Sequence, residues 1–594
     1  MVVNERIAAL RGEMAQRGID AYIIPSGDYH QSEYVGKHFN AREFLTGFTG
    51  SVGTAVVTAN DAVLWADGRY WVQAEAELAG GCVKLFKMGV EGVDTIDEYL
   101  AKVVPNGGKL GFDGRVAAYV EGKKYAALLE DKNASIESSH DLVAQIWSNR
   151  PLLEENKAFI LEEKYSGEST ASKLTRLREK MKQAGATHHA IFTLDDIVWI
   201  INLRGTSSTL FLSYFMMDMN GASLYIDEAR LNQEIKQQLA RDGIQTKPYE
   251  AIYDDIAALT PADVLLFDPE RVNYALASAL PPHCKKKLLP NPALLLKACK
   301  NEVELENIRK AQIKDCVAQT KFMHWIKTNA GKMEITEMSV ADKLFELRSE
   351  QEGFIRPSFN PIVAYKEHGA MMHYRAQPDT QKSIEAEHLL LIDSGGDYIE
   401  GSTDITRTYA LGKLNHELKV HFTAVVRGML NLSRMKFIKG VHGINLDVVA
   451  RQPLWDVGVD YKSGTGHGVG YMTTIHEGPC SIRWQIPAGK AVQPPIEAGM
   501  VFSNEPGAYV EGSHGIRIEN EMVAHLGEVN EHGQFMYFET LTFTPIDLDA
   551  ILPEMMLGAE REFLNDYHKK VYELIGPNLD AEQREWLKTY TREI

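Results

Sequence analysis

The segment that most constrains this chain is a predicted β-hairpin, Leu391-Ile392-Asp393-Ser394-Gly395-Gly396-Asp397-Tyr398-Ile399-Glu400-Gly401-Ser402-Thr403-Asp404. Its glycines bracket a turn centred on Tyr398 and Ile399, which places Asp393 directly opposite Asp404. Directly opposed side chains on one face of a sheet have Cβ atoms about 4.5–5.5 Å apart, so two carboxylates there repel each other. The pair therefore calls for a cation or a shared proton.

A second predicted hairpin repeats this arrangement over Glu505-Pro506-Gly507-Ala508-Tyr509-Val510-Glu511-Gly512-Ser513-His514-Gly515-Ile516-Arg517-Ile518-Glu519. With the turn centred on Gly512, Glu505 falls opposite Glu519. A single acidic residue in a strand usually faces solvent, and one opposed pair is compatible with an accident of surface charge. Two such pairs, each set by a glycine-bearing turn, favour a shared positive charge.

One histidine stands in a glycine-rich segment between these hairpins, Ser463-Gly464-Thr465-Gly466-His467-Gly468-Val469-Gly470. No register of this segment satisfies GxGxxG, and it lacks the Gly-Lys-Ser/Thr ending of a phosphate-binding P-loop. Alternating glycines instead let neighbouring backbone approach the imidazole of His467 closely. On this motif alone, a histidine that merely follows a turn glycine stays an open alternative.

Together the four carboxylates and the imidazole form a mostly hard, oxygen-rich set of ligands. Such a set suits Mn²⁺, Co²⁺ or Zn²⁺, and four negative ligands balance the charge of two divalent ions. Two ions bridged by carboxylates would hold a hydroxide between them, ready to act as a nucleophile beside a Lewis acid. Spacing alone leaves a dinuclear site and unrelated surface acids as alternatives.

The first half of the chain contains an internal repeat. Arg6–Met14 and Lys173–Met181 both place apolar residues at helical spacing, and a glycine follows each of them at Gly18 and Gly185. We interpret the repeat as a duplicated α/β unit, against the alternative of two chance amphipathic helices. The two predicted units cover about residues 1–160 and 161–300.

The second half begins with a predicted helix from Glu302 that ends at Asn329-Ala330-Gly331. Short β runs punctuated by glycine then fill residues 360–545. The remaining residues, 546–594, are predicted to be helical again. The aromatic side chains in this tail favour a role in packing or in subunit contact.

The composition excludes several classes of protein. The chain has 594 residues with 63 basic and 81 acidic side chains, a formal charge of −18 that argues against a general nucleic-acid binder. At roughly 150 residues per domain, the length predicts about three or four domains. The 5 cysteines form no Cys-x-x-Cys pair, so a thiolate zinc site is not indicated. The first residues lack a signal-peptide pattern, and no run reaches the ~20 apolar residues that cross a bilayer, so we expect a soluble, cytoplasmic protein without a membrane partner.

In their local sequences the five candidate ligands resemble the metal ligands of the "pita-bread" metallopeptidases, specifically the large three-domain Xaa-Pro aminopeptidases (aminopeptidase P). The resemblance extends over the whole chain. Trp65-Ala66-Asp67-Gly68-Arg69-Tyr70 and Asn202-Leu203-Arg204-Gly205 resemble segments of the leading domains, and Asn565-Asp566-Tyr567-His568 resembles the tail. Methionine aminopeptidases share the catalytic fold but lack the two leading domains.

The resemblance implies a mixed α/β and α+β chain. Two tandem creatinase-like α/β domains, at 1–160 and 161–300, would precede a pita-bread catalytic domain at 301–594 that ends in the helical tail. The implied enzyme is a dinuclear aminopeptidase that hydrolyses the bond between an N-terminal residue and a following proline. Two divalent ions are implied as cofactors, most simply Mn²⁺, with Zn²⁺ or Co²⁺ as alternatives. A homodimer through the C-terminal domain is also implied.

The family also implies a role for each ligand. Asp393 would hold one metal alone, His467 and Glu505 the other, while Asp404 and Glu519 bridge both. A hydroxide between the metals would attack the scissile carbonyl.

Four further residues are implied around the substrate. His373 matches a histidine that faces the substrate near the scissile bond, and His476 matches one that polarises the scissile carbonyl. Arg69 matches an arginine that reaches the substrate from the first domain. Arg517 alternates onto the strand face of Glu519, which places it within the site.

One residue departs from the family pattern. The family reads His-Gly-Thr-Gly-His, whereas this chain has Ser463-Gly464-Thr465-Gly466-His467. We expect this replacement to leave metal binding intact and to affect turnover or substrate preference around the proline. Two other functions stay open: a prolidase restricted to Xaa-Pro dipeptides, which shares the five ligands, and a metal-free binding protein with the same fold. A metal-free hydrolase of the creatinase type does not keep the five ligands together.

Overall fold

A computed structural model describes residues 2–486 and 491–594. These residues form two compact units. The first unit comprises Met1–Ile160 and Glu168–Ala293, and the second comprises Leu161–Gly167 and Leu294–Ile594. The predicted domain boundaries near 160 and 300 stay predictions, as does the start of the tail at about 546.

The first unit contains two six-stranded sheets that correspond strand for strand. In both, the central strand has an antiparallel neighbour on one side and a parallel neighbour on the other. The next pair is antiparallel on the first side and parallel on the second, and the edge strand of the first side is again parallel. The first sheet has the order Lys84–Lys87, Ala62–Ala66, Thr54–Thr58, Ala21–Pro25, Lys109–Phe112, Ser135–Glu137. The second has the order Ile244–Lys247, Ala222–Ile226, Ser213–Asp218, His188–Ile191, Val264–Phe267, Lys285–Leu288.

Each half of this unit opens with a helix of the same length, Val3–Arg17 and Thr170–Ala184. Gly18 and Gly185 end these helices in the left-handed conformation, at φ 63° and 69°. The predicted repeat is therefore built from matching elements. The apolar residues that these helices bury are Ile7, Leu10 and Met14 in the first and Leu174, Leu177 and Met181 in the second.

Shorter elements complete the first unit. A two-stranded sheet joins Ala158–Ile160 to Leu203–Gly205. The remaining α-helices of at least five residues are Ala41–Thr46, Trp71–Leu78, Ile96–Val103, Tyr119–Leu129, Leu142–Ile146, Leu194–Ile200, Gln233–Arg241, Ala251–Ala257 and Tyr274–Ser278.

The second unit mixes helices with mostly antiparallel sheets, so the predicted succession of α/β and α+β parts is confirmed. Its largest sheet has the order Lys436–Ile438, Gly533–Thr540, Asn520–Asn530, Val501–Asn504, Gly466–Val469, His476–Ile482. Two three-stranded sheets join Ile362–Tyr365, Leu389–Ser394 and Ile405–Ala410, and Phe354–Pro357, Gly396–Tyr398 and Gly401–Ser402. A hairpin joins Gly507–Val510 to His514–Arg517. The longer helices are Glu302–Asn329, Glu337–Ser349, His416–Ser433, Gly443–Trp455, Gly558–Ile575 and Ala581–Tyr590.

The tail helices form part of the core of the second unit. Leu564 and Val571 of the tail are buried in one cluster with Phe422 and Met429 of the helix His416–Ser433. The tail thus packs against the helix His416–Ser433 in the core of this unit. Among the helices of residues 2–486 and 491–594, none combines the length and apolar composition that a bilayer crossing requires.

The long helix Glu302–Asn329 begins at a well-defined N-cap. The side-chain oxygen of Asn301 accepts hydrogen bonds from the backbone N–H groups of Val303 and Glu304, both at 3.0 Å. Its amide group donates to the backbone carbonyl of Ser166 at 2.9 Å. One side chain therefore satisfies two backbone donors of the helix and fastens the segment Leu161–Gly167.

We expect Asn301→Ala to lower the free energy of unfolding by about 1 kcal/mol, because it removes the acceptor for the two helix N–H groups. Asn301→Asp keeps that acceptor but loses the amide donor to the carbonyl of Ser166, so its cost measures the second contact without the loss of the cap. Thermal unfolding of the full chain, followed by circular dichroism, measures both. Equal melting temperatures for Asn301→Ala and the unchanged protein would contradict the assigned capping role.

Candidate metal centre

The first predicted hairpin forms, but its turn lies further along the chain than predicted. Asp393 pairs with Thr406, and Asp397 pairs with Ser402, so the turn is centred between Ile399 and Glu400. The predicted direct opposition of Asp393 and Asp404 is therefore wrong by two residues. The physical reason is Gly401, whose φ of 147° only glycine adopts readily and which lets the chain turn later.

This shift does not separate the two carboxylates. Side chains alternate between the faces of a sheet, so a shift of two residues leaves Asp404 on the same face as Asp393, as a diagonal neighbour.

The second hairpin has the predicted register. Gly507 pairs with Arg517, and on the far side Asn504 pairs with Asn520, both about the predicted centre at Gly512. Gly512 has a φ of 71°, which explains why a glycine stands at the turn. Glu505 and Glu519 lie between these two sets of paired residues.

The glycine-rich segment forms the strand Gly466–Val469, between two neighbouring strands. A Cβ atom on Gly466 would lie 2.0 Å from the carbonyl oxygen of Ser503, and one on Gly468 would lie 2.3 Å from that of Glu477. Side chains at these positions would therefore push both neighbouring strands away from His467. Neighbouring backbone thus comes close to the two glycines that flank His467.

The ligand atoms of Asp404, His467 and Glu519 all lie within 4.8 Å of one another. Nε2 of His467 is 3.4 Å from Oδ2 of Asp404 and 3.6 Å from Oε1 of Glu505. Four of the five predicted ligands thus surround one point.

Asp393, the fifth predicted ligand, reaches this group through Arg517. The Arg517 guanidinium donates to Oδ2 of Asp393 at 2.6 Å and lies 4.0 Å from Oε2 of Glu505. It also donates to the hydroxyl of Tyr509 at 2.6 Å. Arg517 therefore lies within the site, where strand alternation placed it.

The site holds more negative charge than its own cations neutralise. Burial raises the pKa of Asp393 to about 7, a rise that nearby Asp404 and Glu505 increase and Arg517 opposes. Burial also raises the pKa of Glu505 and of Glu519, which both face other carboxylates. Each shift reports that the ionised form is destabilised in this site.

The histidine responds in the opposite direction. Burial alone would lower the pKa of His467, but its hydrogen bond to Asp404 and the charge of Glu505 raise it to about 9. The imidazole therefore takes up a proton and partly compensates for the carboxylates. A divalent cation would perform the same compensation more completely.

These residues fit a divalent metal centre. Oδ1 of Asp393 is buried and accepts no hydrogen bond from residues 2–486 or 491–594, which leaves it free for a cation. The set of four carboxylates and one imidazole also matches the ligand preferences of Mn²⁺, Co²⁺ and Zn²⁺.

Sequence reasoning missed several supporting residues. Glu521 is fully buried, and its Oε1 accepts the backbone N–H of Asp404 at 2.7 Å. Thr406 donates its hydroxyl to Oε2 of Glu519 at 2.6 Å. Strand alternation from Glu519 could have identified Glu521, because residues two apart share a face. No such signal pointed to Thr406, because its partner Glu519 is distant in the chain.

The predicted substrate residues occupy different environments. The ring of His476 lies 4.2 Å from that of His467, centroid to centroid, so the fold brings these histidines together. His373 is half-buried and follows the short helix Lys366–Ala370. Arg69 lies in the first unit, where it pairs with Asp67 at 2.8 Å. The substrate contacts of these residues stay predictions.

Comparisons with known proteins identify the family. The model of metallopeptidase family M24 matches residues 306–525, and the model of its C-terminal region matches 534–594. Models of the creatinase/prolidase N-terminal domain match 6–146 and 149–304. Aminopeptidase P2 of Arabidopsis thaliana is 35% identical over all of this chain and 89% of its own length. Xaa-Pro aminopeptidase 1 of Dictyostelium discoideum is 35% identical over all of this chain and 97% of its own.

This chain belongs to the Xaa-Pro aminopeptidases of metallopeptidase family M24. A solved X-prolyl aminopeptidase from Caenorhabditis elegans, described as a cytosolic enzyme with a di-nuclear active site, has the same fold over the full length of both chains, with a TM-score of 0.95 and 31% identity. The predicted fold, two creatinase-like domains followed by a pita-bread metallopeptidase domain, is confirmed.

Metal binding by this M24 protein should release protons. The pKa of Asp393 is raised to about 7 and that of His467 to about 9, so both groups hold protons near neutral pH that a cation must displace, and the raised pKa values of Glu505 and Glu519 act in the same direction. Affinity for Mn²⁺ should therefore rise as the pH increases through 7. Calorimetric titration of chelator-treated protein, in two buffers of different ionisation enthalpy, counts the protons released. Equal apparent enthalpies in both buffers would refute this electrostatic account.

Proposed function

We propose that this chain removes the N-terminal residue from peptides that have proline in the second position, using two divalent metal ions. The observation that carries this proposal is the convergence of buried acids and one imidazole on a common point, with three ligand atoms within 4.8 Å. The full-length likeness to proteins named Xaa-Pro aminopeptidase supplies the reaction class.

The proposed metal ligands divide into three sets. Asp393 would hold one ion, His467 and Glu505 would hold the other, and Asp404 and Glu519 would serve both. The distances of 3.4 and 3.6 Å from His467 to Asp404 and Glu505 support placing these three around the same ion. When bound, the two ions would supply activation of water as the nucleophile and Lewis-acid polarisation of the scissile carbonyl.

The chain's own residues then orient the peptide and stabilise charge. His476 stands beside His467 and is placed to donate a hydrogen bond to the oxygen of the scissile carbonyl as negative charge develops there. His373 and Arg69 are the proposed contacts to the rest of the peptide. Arg517 restrains Asp393 through their 2.6 Å hydrogen bond.

The leaving group explains the requirement for proline. The nitrogen of an Xaa-Pro bond carries no hydrogen, so the site can be shaped around the ring without an acceptor for an amide donor. The departing nitrogen must gain a proton. Glu505 and Glu519 are the candidates to relay it, as carboxylates that can accept a proton from the attacking nucleophile and pass it to the departing nitrogen.

We further propose Mn²⁺ as the metal, with Zn²⁺ and Co²⁺ as alternatives that the same ligands accept. A cytoplasmic location is supported by the description of the Caenorhabditis elegans relative as a cytosolic enzyme. Homodimer formation stays a proposal drawn from the family.

A prolidase is the alternative that shares these ligands. The Xaa-Pro dipeptidase from Bacillus anthracis covers only 65% of this chain, with a TM-score of 0.51 and 22% identity, which shows a common fold and no more. The relatives named aminopeptidase instead cover all of it. The presence of all five ligands disfavours a metal-free binding protein.

The substrate test compares an Xaa-Pro-Xaa tripeptide with the matching Xaa-Pro dipeptide. We expect the tripeptide to be cleaved at least about tenfold faster, a difference of ~1.4 kcal/mol in the activation barrier. Chelation should abolish cleavage, and added Mn²⁺ should restore it.

The controls separate the alternatives. A peptide with alanine in the second position should resist cleavage. A faster reaction on the dipeptide would identify a prolidase, and failure of every metal to support hydrolysis would support the binding protein.

The serine at position 463 offers a second test. We expect Ser463→His to raise kcat/KM on Xaa-Pro peptides by about tenfold, because an imidazole reaches further than a hydroxyl and can carry a positive charge near pH 7. Ser463→Gln adds similar length without the charge and serves as the control. Unchanged or lower activity of Ser463→His would mean that the site has adapted around serine.

A further inference from the structure

A fully buried arginine lies behind the glycine-rich segment that carries His467. Arg451 is on the helix Gly443–Trp455 and has 0% of its surface exposed. Its guanidinium donates to the backbone carbonyls of Tyr461 and Ser463, both at 2.7 Å, and stacks 3.7 Å from the centre of the Tyr461 ring. It therefore fixes the backbone just before the metal-binding strand.

Two carboxylates hold the guanidinium in place. Oδ2 of Asp447, one helical turn earlier, accepts from Nε of Arg451 at 2.6 Å, and Asp460 accepts from the same guanidinium at 2.9 Å. The other oxygen of Asp447 accepts the hydroxyl of Thr465 at 2.7 Å. This group, which we call the Arg451 network, consists of Arg451, Asp447, Asp460, Tyr461 and Thr465.

The Arg451 network continues directly into two metal ligands. The backbone carbonyl of Thr465 accepts the N–H of Glu505 at 2.8 Å. The N–H of His467 donates to the hydroxyl of Ser503 at 3.0 Å, and that hydroxyl donates to Oε1 of Glu505 at 3.2 Å. Both ligands therefore depend on the position of the strand that Thr465 and Arg451 fix.

The opposite side of the site has separate supports. Asp393 is held by Arg517, and Glu519 is held by Thr406. The backbone of Asp404 is held by Glu521. Among residues 2–486 and 491–594, the hydrogen bonds of the Arg451 network reach none of these three ligands.

We propose that Arg451 is a positioning residue that sets the affinity of the site for one of its two ions, the one bound by His467 and Glu505. This inference rests on the proposed dinuclear function. Residues that support metal ligands typically change metal affinity 10–100-fold when they are removed. Disturbing the Arg451 network should weaken one equivalent of metal by a factor in this range and leave the other nearly unchanged.

Arg451→Lys tests the proposal, because lysine keeps the charge but cannot donate to two carbonyls and two carboxylates from one planar fork. Thr465→Val is a second variant that preserves shape and charge and removes only the hydroxyl, which is bound to Asp447 and to the hydroxyl of Tyr461. The control is Arg427→Lys, which alters a half-buried arginine, bound to Glu560 at 2.7 Å between two helices of the same unit.

The experiment is a calorimetric titration of the full, chelator-treated chain with Mn²⁺, with thermal unfolding to check the fold. We expect two equivalents for the unchanged protein and for Arg427→Lys. We expect one unchanged equivalent, and one weakened about 10–100-fold, for Arg451→Lys or, if that variant does not fold, for Thr465→Val. The paramagnetic resonance signal of a manganese pair should weaken at equal metal concentration, a readout independent of activity.

The outcomes separate the two proposals. Two unchanged equivalents in both folded variants would overturn the role of Arg451, and so would equal weakening of both equivalents. If the unchanged protein itself fails to bind two ions, the dinuclear function fails, whatever the variants do.

Discussion

Mutual repulsion among buried carboxylates is the constraint on which this catalytic unit depends. Asp393, Glu505 and Glu519 are removed from solvent and face other acids, and each is harder to ionise as a result. Such a cluster is stable only if its surroundings provide favourable interactions that offset the lost solvation of the carboxylates. Arg517 and the protonated His467 supply part of this compensation, and a pair of divalent ions would supply the rest.

Much of the surrounding structure holds these carboxylates together against their repulsion. Three ligands have polar supports: Thr406 for Glu519 and Glu521 for the backbone of Asp404, both distant in the chain, and Ser503 for Glu505, two residues away. The glycines at 466 and 468 remove the side chains that would force neighbouring strands apart. Because these hydrogen bonds come from several directions, they hold the ligands in fixed positions. Electrostatic preorganisation of a catalytic site requires such fixed positions.

Patterns of alternation and turn chemistry were sufficient to predict the elements of the fold and the face on which each ligand lies. The hairpin about Gly512 followed its predicted register because one glycine fixes the turn. The hairpin near Asp393 turned one residue later than predicted, which moved its pairing by two residues, because the glycine pattern alone does not locate the turn relative to Gly401. Supports such as Thr406 and Arg451 were beyond prediction, since each acts on residues that are distant in the chain or through backbone carbonyls that carry no sequence signal.

The segment Leu161–Gly167 determines how the chain can be truncated without damage to the catalytic unit. It belongs to the catalytic unit although the first unit flanks it in sequence on both sides. It supplies the carbonyl of Ser166 to Asn301 and that of Tyr165 to the hydroxyl of Tyr471. A truncated fragment that starts near residue 294 would lose both acceptors and expose the groups they satisfy. The catalytic unit is therefore discontinuous along the polypeptide. A gene fusion or a domain transplantation has to include residues Leu161–Gly167 together with the rest of the unit.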